Sequence, residues 1–281
     1  MHCLQAFNMH LAASAEFLIH LRMAQNLKTA LLQVDLVWED IEANKKIFEE
    51  KIKALSADVD LIVLPEMFTT GFSMNAEELA EPPTGPSFEW MRQMASEKDA
   101  AVTGSVITSE KGNFYNRLYF VFPDGSSEKY DKKHTFTLAG EHEIYASGTE
   151  RLIVNYKGWK ICPLVCYDLR FPVWARNTED YDLLLYVANW PAPRVHAWDI
   201  LLQARAIENM SYCIGVNRVG KDGENLDYVG HSAAYDGLGK RVSKTTSETE
   251  FSEEVILERS HLHEIRTQLK FLQDRDRFTL H

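Results

Sequence analysis

The chain has 281 residues, 45% of them hydrophobic and 25% charged, with a formal net charge of −11. That length and apolar content exclude a wholly disordered chain and suit one large α/β unit, while the acidic balance argues against a nucleic-acid partner. No stretch approaches the roughly 20 apolar residues of a membrane span, and the four cysteines, Cys3, Cys162, Cys166 and Cys213, show neither a CxxC pair nor zinc-ligand spacing.

Residues 1–26 read as an extension ahead of the core. Leu11–Leu21 is fairly apolar, but Glu16 interrupts it and no basic segment precedes it, which argues against a secretory signal. Lys28–Asp35 predicts a strand. Ile41, Phe48, Ile52 and Leu55 recur at helical spacing behind Asp40, a residue suited to an N-cap. The continuous apolar run Asp60–Pro65 predicts a strand covered on both faces. A helix over Ser87–Lys98 follows the turn residues Pro82 to Pro86.

Strands are then expected at Ala100–Thr108, Asn116–Phe122 and Ser127–Tyr130. A hairpin is expected from Leu152–Tyr156 and Trp159–Val165 across Lys157-Gly158. Asp182–Ala188 predicts another buried strand, His196–Met210 a helix, and Tyr212–Arg218 a strand behind it. Strands near Ser232–Asp236 and Glu253–Leu257 and a helix over Leu262–Phe271 complete the series. Helices that alternate with strands, together with hairpins, predict an α/β fold with mixed sheets and helices on the outer faces.

Three segments carry chemistry. Cys166 ends the apolar run of a predicted strand and is followed at once by polar residues, so its sulfur can face a pocket as a nucleophile. Glu66 ends the run Leu61–Pro65, where a carboxylate is costly unless paired or in use as a proton carrier. Lys132 lies just past the strand Ser127–Tyr130, and its cation would favour a thiolate or a developing oxyanion. A Cys-His pair using His134 or His142 is the competing arrangement.

These segments resemble the carbon-nitrogen hydrolase, or nitrilase, superfamily: Pro65-Glu66, Lys132-x-His134 and the run Cys166-Tyr167-Asp168-Leu169-Arg170-Phe171-Pro172. The resemblance spans roughly Lys28 to Phe271. It implies a single domain over residues 27–281, a four-layer α-β-β-α sandwich, a Glu66-Lys132-Cys166 triad and a homodimer. It also implies no metal and no organic cofactor, and makes His134 a structural residue. A second active-site glutamate is expected at Glu141, with Glu143 the alternative.

The runs Glu66–Phe72, Ala139–His142 and Ala188–Arg194 resemble the ω-amidase branch, which implies hydrolysis of the terminal amide of small 2-oxo acid monoamides. A nitrile, a carbamoyl-amine or another small amide is the alternative substrate, and a non-catalytic relative the alternative role. Such a substrate needs a cation for its free carboxylate and an apolar wall. Arg170 and Arg194 are the candidate cations; Phe72, Phe136, Tyr167 and Trp190 are the candidate walls. A cytoplasmic setting, with no nucleic-acid or membrane partner, is expected.

Overall fold

The structure, a computed structural model, describes residues 25–246 and 248–279. The expected extension lies outside these residues, apart from Gln25 and Asn26. Six strands form the first sheet: β1 (Leu27–Gln33), β2 (Leu61–Val63), β3 (Ala101–Glu110), β4 (Asn113–Val121), β5 (Ser127–Asp131) and β13 (Phe251–Leu257). Five form the second: β6 (Val154–Tyr156), β7 (Trp159–Val165), β8 (Leu183–Ala188), β9 (Tyr212–Asn217) and β12 (Ala233–Tyr235). The strand orders are β13-β1-β2-β3-β4-β5 and β12-β9-β8-β7-β6. In each sheet three central strands run parallel, β1-β2-β3 and β7-β8-β9, and the strands flanking them pair antiparallel.

Period-two alternation sorts the first sheet's side chains between two cores. Leu27, Leu31, Leu61, Val63, Leu118 and Phe120 join one apolar cluster with Ile161, Leu164 and Val165 of the second sheet. Ala30, Leu32, Ile62, Val102 and Val121 point the other way. They meet Phe48 and Ile52 of helix α1 (Ile41–Ala54), and Met91 and Met94 of helix α2 (Pro86–Lys98). Helices α3 (Val195–Asn209) and α4 (Arg259–Leu269) bury Trp198, Leu202, Leu262 and Ile265 with the second sheet. The expected α-β-β-α layering is therefore the observed one.

Local signals fixed several boundaries. Asp40 caps α1 by accepting from the Ala43 N–H at 2.9 Å. The β6–β7 turn places Lys157 and Gly158 at φ 45° and 79°, the left-handed pair a tight hairpin requires. A two-stranded ribbon, β10 (Val219–Lys221) with β11 (Asp227–Val229), was not expected; its strands are three residues each and interleave charge with apolar residues. Among the described residues no helix is long and apolar enough to cross a membrane.

Candidate active site

Glu66, Lys132, Glu141 and Cys166 converge where strand ends from both sheets meet. Glu66 follows β2 by way of Leu64 and Pro65, and the chain then kinks at Met67, whose φ is 41°. Lys132 directly follows β5. Its N–H donates to the Asn116 carbonyl of β4, and its carbonyl accepts from the Gly148 N–H. Cys166 directly follows β7 and opens a short 3-10 turn, with φ at 43°. A left-handed non-glycine residue costs on the order of 1–3 kcal/mol and persists only where its surroundings hold it. Glu141 opens a one-turn helix behind Gly140.

The bonding is dense. Lys132 Nζ lies 2.8 Å from Glu66 Oε1, and 3.0 and 2.8 Å from the two Glu141 oxygens. Asn116 Nδ2 donates to Glu66 Oε1 at 2.7 Å and to Glu141 Oε1 at 3.2 Å. The Asn189 N–H donates to Glu66 Oε2 at 2.8 Å, and Asn189 Nδ2 to the Glu66 carbonyl at 2.6 Å. The Phe136 N–H donates to Glu141 Oε2. Both carboxylates are fully buried and Lys132 almost so. The amide donors of Asn116, Asn189 and Phe136 satisfy the buried carboxyl oxygens around Lys132.

Charges follow from these contacts. Burial alone would drive the Lys132 ammonium down, but Glu141 and Glu66 outweigh it and hold it above its ordinary range. Burial and then Glu66 raise the Cys166 thiol well above its ordinary value, against the opposing pull of Lys132. The thiol donates to the Asn189 carbonyl at 3.9 Å, and its closeness to Glu66 acts in the same direction as burial. These effects together favour the protonated thiol over the thiolate. Burial also raises the Glu141 carboxyl, with Lys132 opposing. Glu66 Oε1 already serves two donors and Oε2 one, so Oε2 retains acceptor capacity for the thiol.

A cavity of about 390 Å³ opens over the sulfur. All six residues expected from the sequence to bind substrate line it: Phe72, Phe136, Tyr167, Arg170, Trp190 and Arg194. The Arg170 guanidinium lies 4.9 Å from the Trp190 ring and that of Arg194 5.2 Å from the Phe136 ring. Among the described residues neither guanidinium has a carboxylate partner. Arg170 is not paired with the neighbouring Asp168, which bonds instead to Tyr130, His134 and Val165. Trp190 is 3% exposed and packs against Trp198, so it belongs to the core as well as to the wall. Glu143 faces outward with a largely exposed side chain, unlike Glu141.

His134 lies against Phe171, ring to ring at 3.6 Å, and its Nδ1 is 2.7 Å from Asp168 Oδ1. His142 is half-exposed, with Glu143 as its neighbour. Neither histidine lines the cavity. Sequence reasoning missed Asn116 altogether. It also missed the wall formed by Trp38 and by Asp222, Leu226 and Tyr228 of the β10–β11 ribbon. A polar residue inside a strand and a charged short ribbon carry no distinctive pattern, which is why they escaped notice.

Residues 28–267 match the carbon-nitrogen hydrolase family. Over 214 residues the chain is 51% identical to omega-amidase YafV of Yersinia enterocolitica, covering 76% of this chain and 83% of that one. It is 35% identical over 214 residues to 2-oxoglutaramate amidase of Bacillus subtilis, covering 74% and 82% of the two chains. The solved structure of XC1258 from Xanthomonas campestris, a CN-hydrolase superfamily protein with an arsenic adduct in the active site, superposes with a TM-score of 0.89. Its identity is 42%, over 92% of this chain and all of that one.

Proposed function

The chain belongs to the carbon-nitrogen hydrolase family and is an amide-hydrolysing enzyme; from that premise we propose that it removes the terminal amide of small 2-oxo acid monoamides such as 2-oxoglutaramate, through a thioester on Cys166. The observation that carries this reading is the shared cavity: thiol, ammonium and two unpaired guanidiniums line one apolar-walled space. The names of the similar proteins from Yersinia enterocolitica and Bacillus subtilis point to the same substrate class.

In this mechanism Glu66 takes the thiol proton as the sulfur attacks the amide carbon. The carbonyl oxygen becomes negative between the Lys132 ammonium and the Tyr167 N–H. Glu66 returns its proton to the nitrogen, the C–N bond breaks and ammonia leaves. A water that gives its proton to Glu66 then opens the thioester, and the sulfur recovers a proton as the acid departs. Glu141 holds Lys132 charged and fixed throughout. Arg170 and Arg194 take the substrate's free carboxylate, each backed by an aromatic face. The enzyme works as a homodimer; the exposed apolar side chains Val173, Ile200 and Ile207 on the outer helical layer support this.

The test is ammonia release from 2-oxoglutaramate, 2-oxosuccinamate, glutamine, asparagine and simple nitriles. A kcat/KM for the 2-oxo amides at least about 100-fold above that for the amino acids is expected, since an α-ammonium would face two unpaired guanidiniums. A preference for glutamine or for nitriles would overturn the substrate assignment.

A further inference from the structure

The segments that carry Lys132 and Cys166 come from different sheets, and one buried carboxylate bonds to both. Asp168 is fully buried. Its Oδ2 accepts from the Tyr130 hydroxyl at 2.8 Å and from the Val165 N–H at 3.0 Å. Its Oδ1 accepts from the His134 N–H at 3.0 Å and has His134 Nδ1 at 2.7 Å. Tyr130 and His134 each lie two residues from Lys132, one on either side. Val165 immediately precedes Cys166.

Tyr130 is itself fixed. Its oxygen accepts from the Lys133 N–H at 3.1 Å and from Trp174 Nε1 at 3.0 Å, so its own proton is committed to Asp168. Burial, then Asp168, raises the phenol well above its ordinary range and keeps that proton in place. Four donors thus meet two carboxylate oxygens, and each oxygen joins a different pair. The left-handed backbone of Cys166 lies inside this framework.

We propose that Asp168 is a positioning residue: a clamp that ties the lysine segment to the cysteine turn and so sets the distance between the ammonium and the sulfur. The proposal rests on the roles assigned above to Lys132 and Cys166. Asparagine has the same shape but one acceptor oxygen and one donor nitrogen. At position 168 it must turn its amide protons toward either the His134 N–H and ring or the Tyr130 hydroxyl and Val165 N–H, so one of the two donor pairs is left without its acceptor and the clamp is loosened. Arg194 and Trp190 lie on a separate segment and do not bond to Asp168, so the loss is expected in kcat more than in KM.

The experiment compares Asp168→Asn, Tyr130→Phe and the double variant with the wild type, in ammonia release from 2-oxoglutaramate and from propionamide. Rates are normalised to the folded fraction, read from size-exclusion chromatography and the urea transition of each variant. Asp168→Asn is expected to lower kcat about 100-fold, with KM changed by less than about threefold. Tyr130→Phe removes one of the four bonds and should lower kcat about fivefold. The double variant should be no worse than Asp168→Asn within about twofold, because both act through one clamp.

A kcat for Asp168→Asn within about threefold of wild type, or losses that multiply in the double variant, would overturn the clamp. Should Asp168→Asn not fold, Tyr130→Phe decides: reduced kcat at constant KM supports the proposal, and unchanged kcat ends it. Cys166→Ala and Lys132→Met are run beside these. Turnover surviving in either would sink the proposed mechanism; loss in both, with Asp168→Asn near wild type, would sink the clamp alone.

Discussion

At the residue scale, the account turns on where one proton rests. Burial and Glu66 raise the thiol, and Lys132 alone among the charged groups beside it pulls the other way. In the proposed mechanism the thiolate accordingly forms by transfer to Glu66 during the reaction. Alkylation of the free enzyme by iodoacetamide should keep rising as pH passes the ordinary thiol range, with no plateau there. Lys132→Met should move the rise to still higher pH, because the cation that favours the thiolate is gone. A plateau near neutrality in the wild type would mean that the sulfur is already ionised at rest. Glu66→Gln should reduce turnover by at least about 1,000-fold, since an amide can neither take nor return the proton.

At the element scale, strand ends do the positioning. Glu66, Lys132 and Cys166 each follow a strand of a different register, and a strand end is where an apolar run gives way to polar residues. That transition is visible in sequence for Glu66 and Cys166, whereas Lys132 follows the polar strand Ser127–Asp131 and stood out through the Lys132-x-His134 resemblance. Asn116 did not, because it lies within β4, where one polar residue among Tyr115, Leu118 and Tyr119 looks like ordinary alternation. The short ribbon β10–β11 escaped for a related reason: three-residue strands give too few positions to establish a period.

Helix placement depends on close contact behind the site. A Cβ built on Gly215 of β9 would lie 2.5 Å from Leu202 Cδ1 and 2.6 Å from Trp198 Cζ2 of α3. Gly215→Ala should therefore lower stability by about 1–3 kcal/mol, read as a lower urea midpoint, because the rigid indole has to shift. An unchanged midpoint would show that α3 has room the packing does not suggest.

At the scale of the whole molecule, charge and layers have separate consequences. The layered fold was legible because continuous apolar runs alternated with helical periodicity. Which strand neighbours which was not, since order depends on contacts far apart in the chain, such as β13 beside β1. The net charge of −11 sets a long-range repulsion against an anionic substrate. In the proposed function, capture depends on the two local guanidiniums within about a Debye length of 10 Å at 0.1 M salt. Raising salt from about 20 to 200 mM should leave kcat/KM for 2-oxoglutaramate within about threefold, instead of the steep fall that marks long-range attraction. A tenfold or greater decline would show that the cationic mouth of the site, not the net charge, governs the substrate's long-range approach.

The most direct measurement is acid-quench mass spectrometry of the enzyme during turnover of 2-oxoglutaramate. The account predicts that the substrate's acyl group appears on the peptide carrying Cys166, is released by hydroxylamine, and is absent in Cys166→Ala, which also makes no ammonia. An acyl group on another residue, or ammonia formed by Cys166→Ala at the wild-type rate, would contradict it.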